Sequence, residues 1–234
     1  MMCAEDIRRE LQSLSDPEKA RIMQCFFKTG QGQYGEGDVF IGVTVPDSRR
    51  AAKKFGELPL QEVKALLDSG VHEERMVALL ILVQKYVRAF DEEKEEIVKF
   101  YLRNIKQVNN WDLVDLSAPS ILGMHLMGRD RKLLHRLAKS DSVWERRIAI
   151  VATLHFIRND DFADTLGIAE VLLRDSHDLI HKAAGWMLRE VGKRDLAAEE
   201  AFVARHCRYM PRTMLRYAIE RFPEGKKRRY MMER

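Results

Sequence analysis

Cysteine is scarce in this 234-residue sequence, which contains only Cys3, Cys25 and Cys207. The number is odd, and no two of them have the Cys-x-x-Cys spacing of a metal site or a redox motif. A secreted, disulfide-stabilised domain is therefore disfavoured, and a reducing compartment is favoured.

Long apolar runs are also missing, since no window is apolar for long enough to span a bilayer. The first ten residues carry five charged side chains, which excludes a secretory signal. We therefore expect a cytoplasmic protein without membrane attachment, associated with the nucleoid if its source is bacterial.

Signatures of nucleotide or metal binding are weak. The Gly30–Gly37 stretch contains a Gly-x-Gly-x-x-Gly match, but a predicted helix precedes it and no helix opens on its last glycine. This context excludes a dinucleotide site and predicts a flexible loop, whose amides could still meet a phosphate.

His177 and His181 are four residues apart, yet no third ligand is evident, so we expect neither a metal nor an organic cofactor.

Helical patterns dominate the sequence after Pro46, and a related unit recurs in them. Equivalent positions are separated by 35, 36, 35 and 34 residues, at Ala78, Leu113, Ala149, Ala184 and Ala218. A period in this range is typical of stacked pairs of helices. The sequence therefore predicts an all-α fold, an α-solenoid of tandem antiparallel helix pairs, whose concave face is a binding surface.

The domain organisation follows from the same pattern. We expect one domain over residues 1–225 and a frayed basic tail at 226–234. Residues 39–45 resemble a strand but are too isolated to make a sheet. Ser15 and Glu18 fit a helix capping box with Pro17 in the first turn.

Positive charge is concentrated at the C-terminal end. The formal net charge of the chain is +4, yet residues from 201 onward hold ten lysines and arginines against three acidic residues. A basic end on a near-neutral body suits a polyanionic partner. A solvated tail that aids solubility explains the same pattern equally well.

Four side chains at equivalent turns of successive repeats form a candidate site. Trp111 and Asp115 share one helix face because they are four residues apart, and Arg147 and Trp186 follow Trp111 by 36 and 75 residues. Since equivalent turns line up along a helical stack, we expect the four to converge. Asp112 points roughly 100° away from Trp111 and is the poorer catalytic candidate.

Such a cluster suits the chemistry of a developing cation. Indole rings and a carboxylate stabilise positive charge, and an arginine binds phosphate in a bidentate manner. These features match cleavage of an N-glycosidic bond in DNA, where one carboxylate suffices if the leaving base is already cationic. Structural interpretations stay open: the indoles as packing, Asp115 as a helix-dipole partner, and Arg147 as an ion-pair partner of Glu145 or Asp115.

Four stretches of the sequence resemble the AlkD-like DNA alkylation repair glycosylases. They are residues 40–43 with Pro46, Arg49 and Arg50, residues 110–115, residues 144–149 and residues 183–192. The similarity extends from about residue 15 to 222. Its most specific motifs are Trp-x-x-x-Asp and Ala-x-Gly-Trp-x-Leu-Arg-Glu-x-Gly.

The resemblance implies a superhelix of HEAT-like repeats that holds duplex DNA across a basic concave face. The implied reaction is hydrolysis of the N-glycosidic bond of N7-methylguanine, N3-methyladenine and similar cationic purines. By analogy, Asp115 stabilises the sugar cation and positions the attacking water, while Trp111 and Trp186 pack against the deoxyribose. Arg147 or its neighbour Arg146 contacts the phosphate backbone, with Arg147 preferred because it keeps the turn equivalent to Trp111.

Further expectations follow from the same resemblance. Arg49 and Arg50 are additional candidates for phosphate contacts, no metal or cofactor is required, and a monomer is the simplest assembly. A non-catalytic HEAT-like protein that binds damaged or branched DNA is the alternative, although it is expected to lack one of the aromatic or acidic residues. A protein-binding scaffold is a third possibility, which predicts a largely apolar or acidic concave face.

Overall fold

The computed structural model describes residues 2–233, which fold almost entirely into helices. The α-helices are α1 (Ala4–Ser13), α2 (Pro17–Phe26), α3 (Val45–Lys54), α4 (Leu60–Leu67), α5 (His72–Arg88), α6 (Asp91–Arg103), α7 (Trp111–Ala118), α8 (Met124–Leu126), α9 (Lys132–Leu137), α10 (Val143–Ala152), α11 (Leu154–Arg158), α12 (Ala163–Val171), α13 (Asp178–Arg194), α14 (Leu196–His206), α15 (Arg212–Ala218) and α16 (Glu224–Met232). Short 3₁₀ turns and a π-helical turn, Pro119–Gly123, join some of them. The predicted all-α fold of successive short helices is confirmed.

The chain divides into two compact units, the first ending at Ser117 and the second beginning at Ala118. Within residues 2–233, no strand is formed, and the strand-like segment makes a single bridge between Val39 and Val71. No helix in the described part of the chain has both the length and the apolar character needed to cross a bilayer.

Helix α5 is the centre of the first unit. It packs against α1, α3 and α4, and every residue from His72 to Leu82 is buried. A helix that is covered on all sides has no polar stripe, so the charged residues at its start must find partners inside the protein. Those charged residues, His72 to Arg75, supply the site described below.

The segment of residues 38–43 lies against the start of α5. The Glu73 carboxylate accepts the backbone amides of Ile41, Gly42 and Val43 at 2.9 to 3.2 Å. The Val39 carbonyl accepts the amide of His72 at 2.8 Å. These bonds replace the hydration that a buried carboxylate and a loop backbone lose on folding.

Gly42 is the tightest point of this segment. Its φ is +86°, and a Cβ atom there would lie 2.0 Å from the carbonyl oxygen of Asp16. The Asp16 side chain in turn accepts the amides of Glu18 and Lys19, so Asp16 is the N-cap of α2. The predicted capping box starting at Ser15 is therefore wrong by one residue: the Ser15 hydroxyl donates to the Gln12 carbonyl instead.

Helix α13 is the centre of the second unit and packs against α10, α14 and α15. Gly185 permits the approach of α15, because a Cβ atom at this position would lie 2.4 Å from the Met214 carbonyl oxygen. The segment expected to be a frayed tail is instead helical as α16. It is held by the buried ring of Tyr230 and by a bond from Arg212 to the Met231 carbonyl, contacts that charge composition alone does not reveal.

Glu199 on α14 is a buried acid of the second unit. Its side chain packs against Gly192, its Oε1 has no hydrogen-bond partner, and the residue is 2% exposed. Burial raises the pKa of this carboxyl group from its ordinary 4.5 to about 8, despite the nearby charge of Arg189. The folded protein therefore holds the proton across the neutral range.

We expect Glu199→Gln to become increasingly stabilising, relative to the parent, as the pH rises from about 4.5 to about 8. In this window the folded state binds more protons than the unfolded chain, so the contribution of Glu199 to stability falls with pH. Urea denaturation of both proteins at several pH values measures the difference. Glu57→Gln is the control, because the Glu57 side chain is 79% exposed, and a pH-independent difference for Glu199→Gln would contradict the assignment.

Candidate active site

Trp111 is the first residue of α7, and its indole is held by two phenylalanine rings. The ring of Phe27 stacks on it with centroids 5.2 Å apart and an interplanar angle of 9°. The ring of Phe26 meets it edge-on at 6.0 Å. Phe26 is 64% exposed and Trp111 is half-buried, so the indole is supported on one side while part of it stays at the surface.

The stacking continues inward from Trp111 to form an aromatic cluster, composed of Phe26, Phe27, Phe40, His72 and Trp111. Phe27 stacks on Phe40 at 4.8 Å, and Phe40 stacks on the imidazole of His72 at 4.4 Å. Aromatic pairs in such geometry add stability beyond the area that they bury. The position of the Trp111 ring is therefore coupled to side chains from α5 and from the 38–43 segment.

A buried ion network lies beside the aromatic cluster and is composed of Asp38, His72, Arg75, Asn110 and Asp112. Asp38 is its hub, accepting from Arg75 Nη2 at 2.5 Å and from Asn110 Nδ2 at 3.0 Å. The His72 ring binds Asp38 through Nδ1 at 3.0 Å and Asp112 through Nε2 at 2.8 Å. Apart from the partly exposed Asp112, every member is buried.

The network favours the charged forms of Asp38 and His72. Burial raises the pKa of Asp38, but the hydrogen bond from His72 and the charge of Arg75 outweigh it and hold the pKa below its ordinary value. Burial lowers the pKa of His72, but the hydrogen bonds to Asp112 and Asp38 outweigh it and raise the pKa above its ordinary value. Two carboxylates thus face two cations, as a buried ionic cluster requires.

The network fixes the first turn of α7. The Asn110 Oδ1 accepts the amide of Trp111 at 2.8 Å, while the Nδ2 of the same side chain donates to Asp38. Asp112, the next residue after Trp111, is bound to His72. Asp115 follows one turn after Trp111 on the same face and is half-buried, so the candidate carboxylate stands on a helix whose start is immobilised.

Trp186 and Arg147 belong to the second unit. The Trp186 Nε1 donates to Glu190 Oε1 at 3.0 Å, one turn along α13, and the indole is half-buried. Arg147 on α10 is 5% exposed and donates from Nη1 to the Leu179 carbonyl at 2.7 Å. Each side chain is thus fixed within its own unit, and the convergence of these residues with Trp111 and Asp115 stays a prediction.

The relationship of the chain to known proteins rests on a family model. The model of the DNA alkylation repair enzymes matches residues 7–222. The chain belongs to this family. A comparison with curated proteins gave no match.

The fold has a solved counterpart, a predicted DNA alkylation repair enzyme from Enterococcus faecalis. The two share 19% sequence identity and superpose with a TM-score of 0.70, over 90% of this chain and 97% of the other. At this identity the likeness establishes the fold. The DNA alkylation repair family gives this chain a role in the repair of alkylated DNA, with DNA as its substrate.

The other arginines predicted to bind DNA differ in how free they are within this repair protein. Arg146 is anchored to its own unit through Asp175 Oδ2 at 2.6 Å and through the carbonyls of Ser140 and Asp141. Arg49 and Arg50 are exposed on α3, where Arg50 pairs with Asp47. Arg49 and Arg50 thus remain the more accessible candidates for a phosphate.

The Gly30–Gly37 loop of the repair protein is a series of turns at the end of α2. The amides of Gly30 and Gly32 donate to the side chains of Gln33 and Glu36. Gly35 packs so closely that a Cβ atom would lie 2.4 Å from the Phe27 carbonyl oxygen. The loop is therefore attached to the residue whose ring stacks on Trp111.

Sequence reasoning missed Asp38, His72 and Arg75 as members of the site. One signal was available, because His72 to Arg75 are four consecutive polar residues directly before eight apolar ones, Met76 to Val83. The pair His177 and His181, considered for a metal, is engaged by the Leu179 amide and the Asp175 carbonyl. Within residues 2–233, no three histidine, cysteine or acidic side chains are grouped to hold a metal ion.

Proposed function

We propose that this DNA alkylation repair enzyme is a glycosylase that hydrolyses the N-glycosidic bond of N3- and N7-alkylated purines in duplex DNA. The observation that supports this most directly is the Trp111 indole, stacked on Phe27 and partly exposed, with Asp115 one turn along the same helix face. A supported indole beside a carboxylate suits a cation that develops in the transition state.

The chemistry needs few groups because the alkylated purine already carries a positive charge. When the bond between C1′ and the base nitrogen breaks, the electron pair goes to the purine, which leaves as a neutral molecule. Positive charge then develops on the deoxyribose, where the Asp115 carboxylate and the Trp111 ring stabilise it. A water molecule adds to C1′ and gives up its proton to solvent. No general acid has to protonate the leaving base, because that base is already cationic.

The residues of the second unit have supporting roles in this proposal. The bond from Trp186 Nε1 to Glu190 fixes the orientation of its indole, which would pack against the lesion deoxyribose. The bond from Arg147 Nη1 to Leu179 fixes its guanidinium, which would contact the phosphate backbone near the lesion. Arg49 and Arg50 would add phosphate contacts on the first unit, and Arg146 is retained only as the alternative to Arg147.

We expect the purified protein to release N7-methylguanine and N3-methyladenine from methylated duplex DNA. The reason is that only cationic bases leave readily without protonation, so unmethylated DNA should release nothing above the spontaneous rate. Mass spectrometry of the free bases measures the reaction, with methylated DNA incubated without protein as the control for spontaneous loss.

Failure to release either base would overturn the proposed activity. If binding to methylated DNA then persisted and fell steeply with salt, as expected for phosphate contacts, the protein would be a non-catalytic binder of damaged DNA. If the protein also showed no salt-sensitive binding to DNA, the proposed phosphate contacts of Arg49 and Arg50 would be contradicted as well.

A further inference from the structure

The His72 imidazole lies between two carboxylates at the junction of three chain segments. Its Nδ1 is 3.0 Å from Asp38 and its Nε2 is 2.8 Å from Asp112. An ionised carboxylate only accepts hydrogen bonds, so both ring nitrogens have to donate, and this is possible only in the imidazolium form. The residue is 1% exposed, so the charge is not supported by bulk water.

The connection from His72 to the candidate catalytic side chains is short. Asp112 adjoins Trp111 in the first turn of α7, and Asp38 holds Asn110, which accepts the Trp111 amide. His72 thus holds the start of α7 by two routes, one on each side of Trp111. The Phe40 ring, stacked on His72 at 4.4 Å and on Phe27 at 4.8 Å, adds a third route through the aromatic cluster.

We propose that His72 is a positioning residue of the site, which as an imidazolium orients Trp111 and Asp115 by binding Asp112 and Asp38. The inference rests on the proposed glycosylase activity for its effect on rate, whereas its effect on Trp111 is independent of that activity. His72 does not touch DNA in this proposal and acts only through its neighbours.

Loss of the proton from His72 would unbalance the network. The charged groups that face it are Asp38 from the 38–43 segment, Asp112 from α7, and Arg75 from α5 through Asp38. With His72 protonated, two positive charges oppose two negative ones. A neutral imidazole leaves one excess negative charge and removes one donor, so one carboxylate must find a new partner.

The direction of the pH dependence follows from this charge balance. Hydrogen bonds to Asp112 and Asp38 raise the pKa of His72 against the effect of burial. The competent, protonated form of His72 therefore persists to a higher pH than that of an ordinary histidine. The rate of base release should be lost as the pH rises through the raised pKa, and the same transition should appear in the environment of Trp111.

Two substitutions separate the two hydrogen bonds. The amide nitrogen of His72→Gln falls near the position of Nε2 and retains a donor toward Asp112. That of His72→Asn falls near Nδ1 and retains a donor toward Asp38 only. A displacement of a catalytic group by about 1 Å can cost about 10²-fold in rate. We therefore expect His72→Asn to reduce the rate of base release by about 10²-fold and His72→Gln to reduce it less. Neither variant should retain the pH transition of the parent.

A structural contribution of His72 to folding needs its own control. Rates are compared per folded molecule, with the folded fraction taken from denaturation curves. His206→Gln serves as the matched variant, because His206 is a buried histidine of the second unit whose ring packs against Phe202 at a tilted angle. We expect it to keep the rate and the pH profile of the parent.

Trp111 fluorescence supplies a readout that does not require catalysis. In a Trp144→Phe, Trp186→Phe protein, Trp111 is the remaining tryptophan, and its emission should change as His72 titrates. Introducing His72→Asn into this background should abolish the change.

The outcomes distinguish this inference from the proposed function. Base release by the parent together with unaltered rates and pH profiles in both His72 variants would overturn the positioning role and leave the glycosylase standing. If the parent releases no base, the glycosylase fails. The Trp111 fluorescence then tests the positioning role by itself. A pH-dependent change in emission that is present with His72 and lost in His72→Asn supports the role. The lack of any such change in the protein that retains His72 overturns it.

Discussion

Asp115→Asn is expected to reduce base release by about 10²- to 10³-fold, which is the usual cost of losing one preorganised electrostatic group. The substitution conserves the shape of the side chain and removes the negative charge that opposes the developing sugar cation. DNA binding should be largely unchanged, because no favourable contact with phosphate is lost. Single-turnover release of N7-methylguanine at saturating protein measures the step directly.

The matched control for this substitution is Asp91→Asn. Asp91 lies in the first turn of α6, its side chain is 89% exposed, and its charge is expected to be irrelevant to the reaction. Equal rates for parent and Asp115→Asn would remove Asp115 from the proposed mechanism. Equal losses in Asp115→Asn and Asp91→Asn would show that net charge, rather than a positioned carboxylate, controls the rate.

Gly42→Ala is expected to lower the free energy of unfolding by about 3–5 kcal/mol, from overpacking and backbone strain together. The new Cβ would lie 2.0 Å from the Asp16 carbonyl oxygen and 2.9 Å from the Ala20 nitrogen, both backbone atoms at the start of α2. Neither can yield without moving α2 or the segment whose amides bind Glu73. Urea denaturation followed by circular dichroism measures the change.

Gly32→Ala is the control that separates the steric clash of an added Cβ at position 42 from the backbone strain of its positive φ angle. Gly32 has a φ of +73°, similar to that of Gly42, but nothing lies within 4 Å of an added Cβ. It should lose only about 1 kcal/mol, the cost of a left-handed residue with a side chain. A similar loss in both variants would show that the approach of α2 contributes nothing at Gly42.

The helical character of the fold could be predicted from sequence because it depends on local periodicity. Spacings of 34 to 36 residues among Ala78, Leu113, Ala149, Ala184 and Ala218 indicate repeating helix pairs, and each of these residues is fully buried in its helix. The docking of α16 could not be predicted in this way, because it depends on the burial of Tyr230 and on the long-range bond from Arg212 to the Met231 carbonyl.

The candidate site was accessible to sequence reasoning only where its residues share a helix. Trp111 and Asp115 are four residues apart, so helix geometry alone relates them. Asp38, His72 and Asn110 come from segments 34 and 38 residues apart, and nothing in local patterns pairs them. Their association follows from tertiary packing, which places the buried Asp38 carboxylate within hydrogen-bond distance of His72 and Arg75 at the start of α5.

The buried ion network also sets an order for assembly of the first unit. Its hydrogen bond between Asp38 and Asn110 closes a loop of 72 residues, so its formation bears a large entropic cost of chain closure. During synthesis, Asp38 is available to Arg75 and to His72 Nδ1 early, but the bond of His72 Nε2 to Asp112 cannot form until residue 112 has left the ribosome. The head of α5 therefore completes its native environment late, and Trp111 reaches its stacked position on Phe27 only when almost all of the first unit has been made.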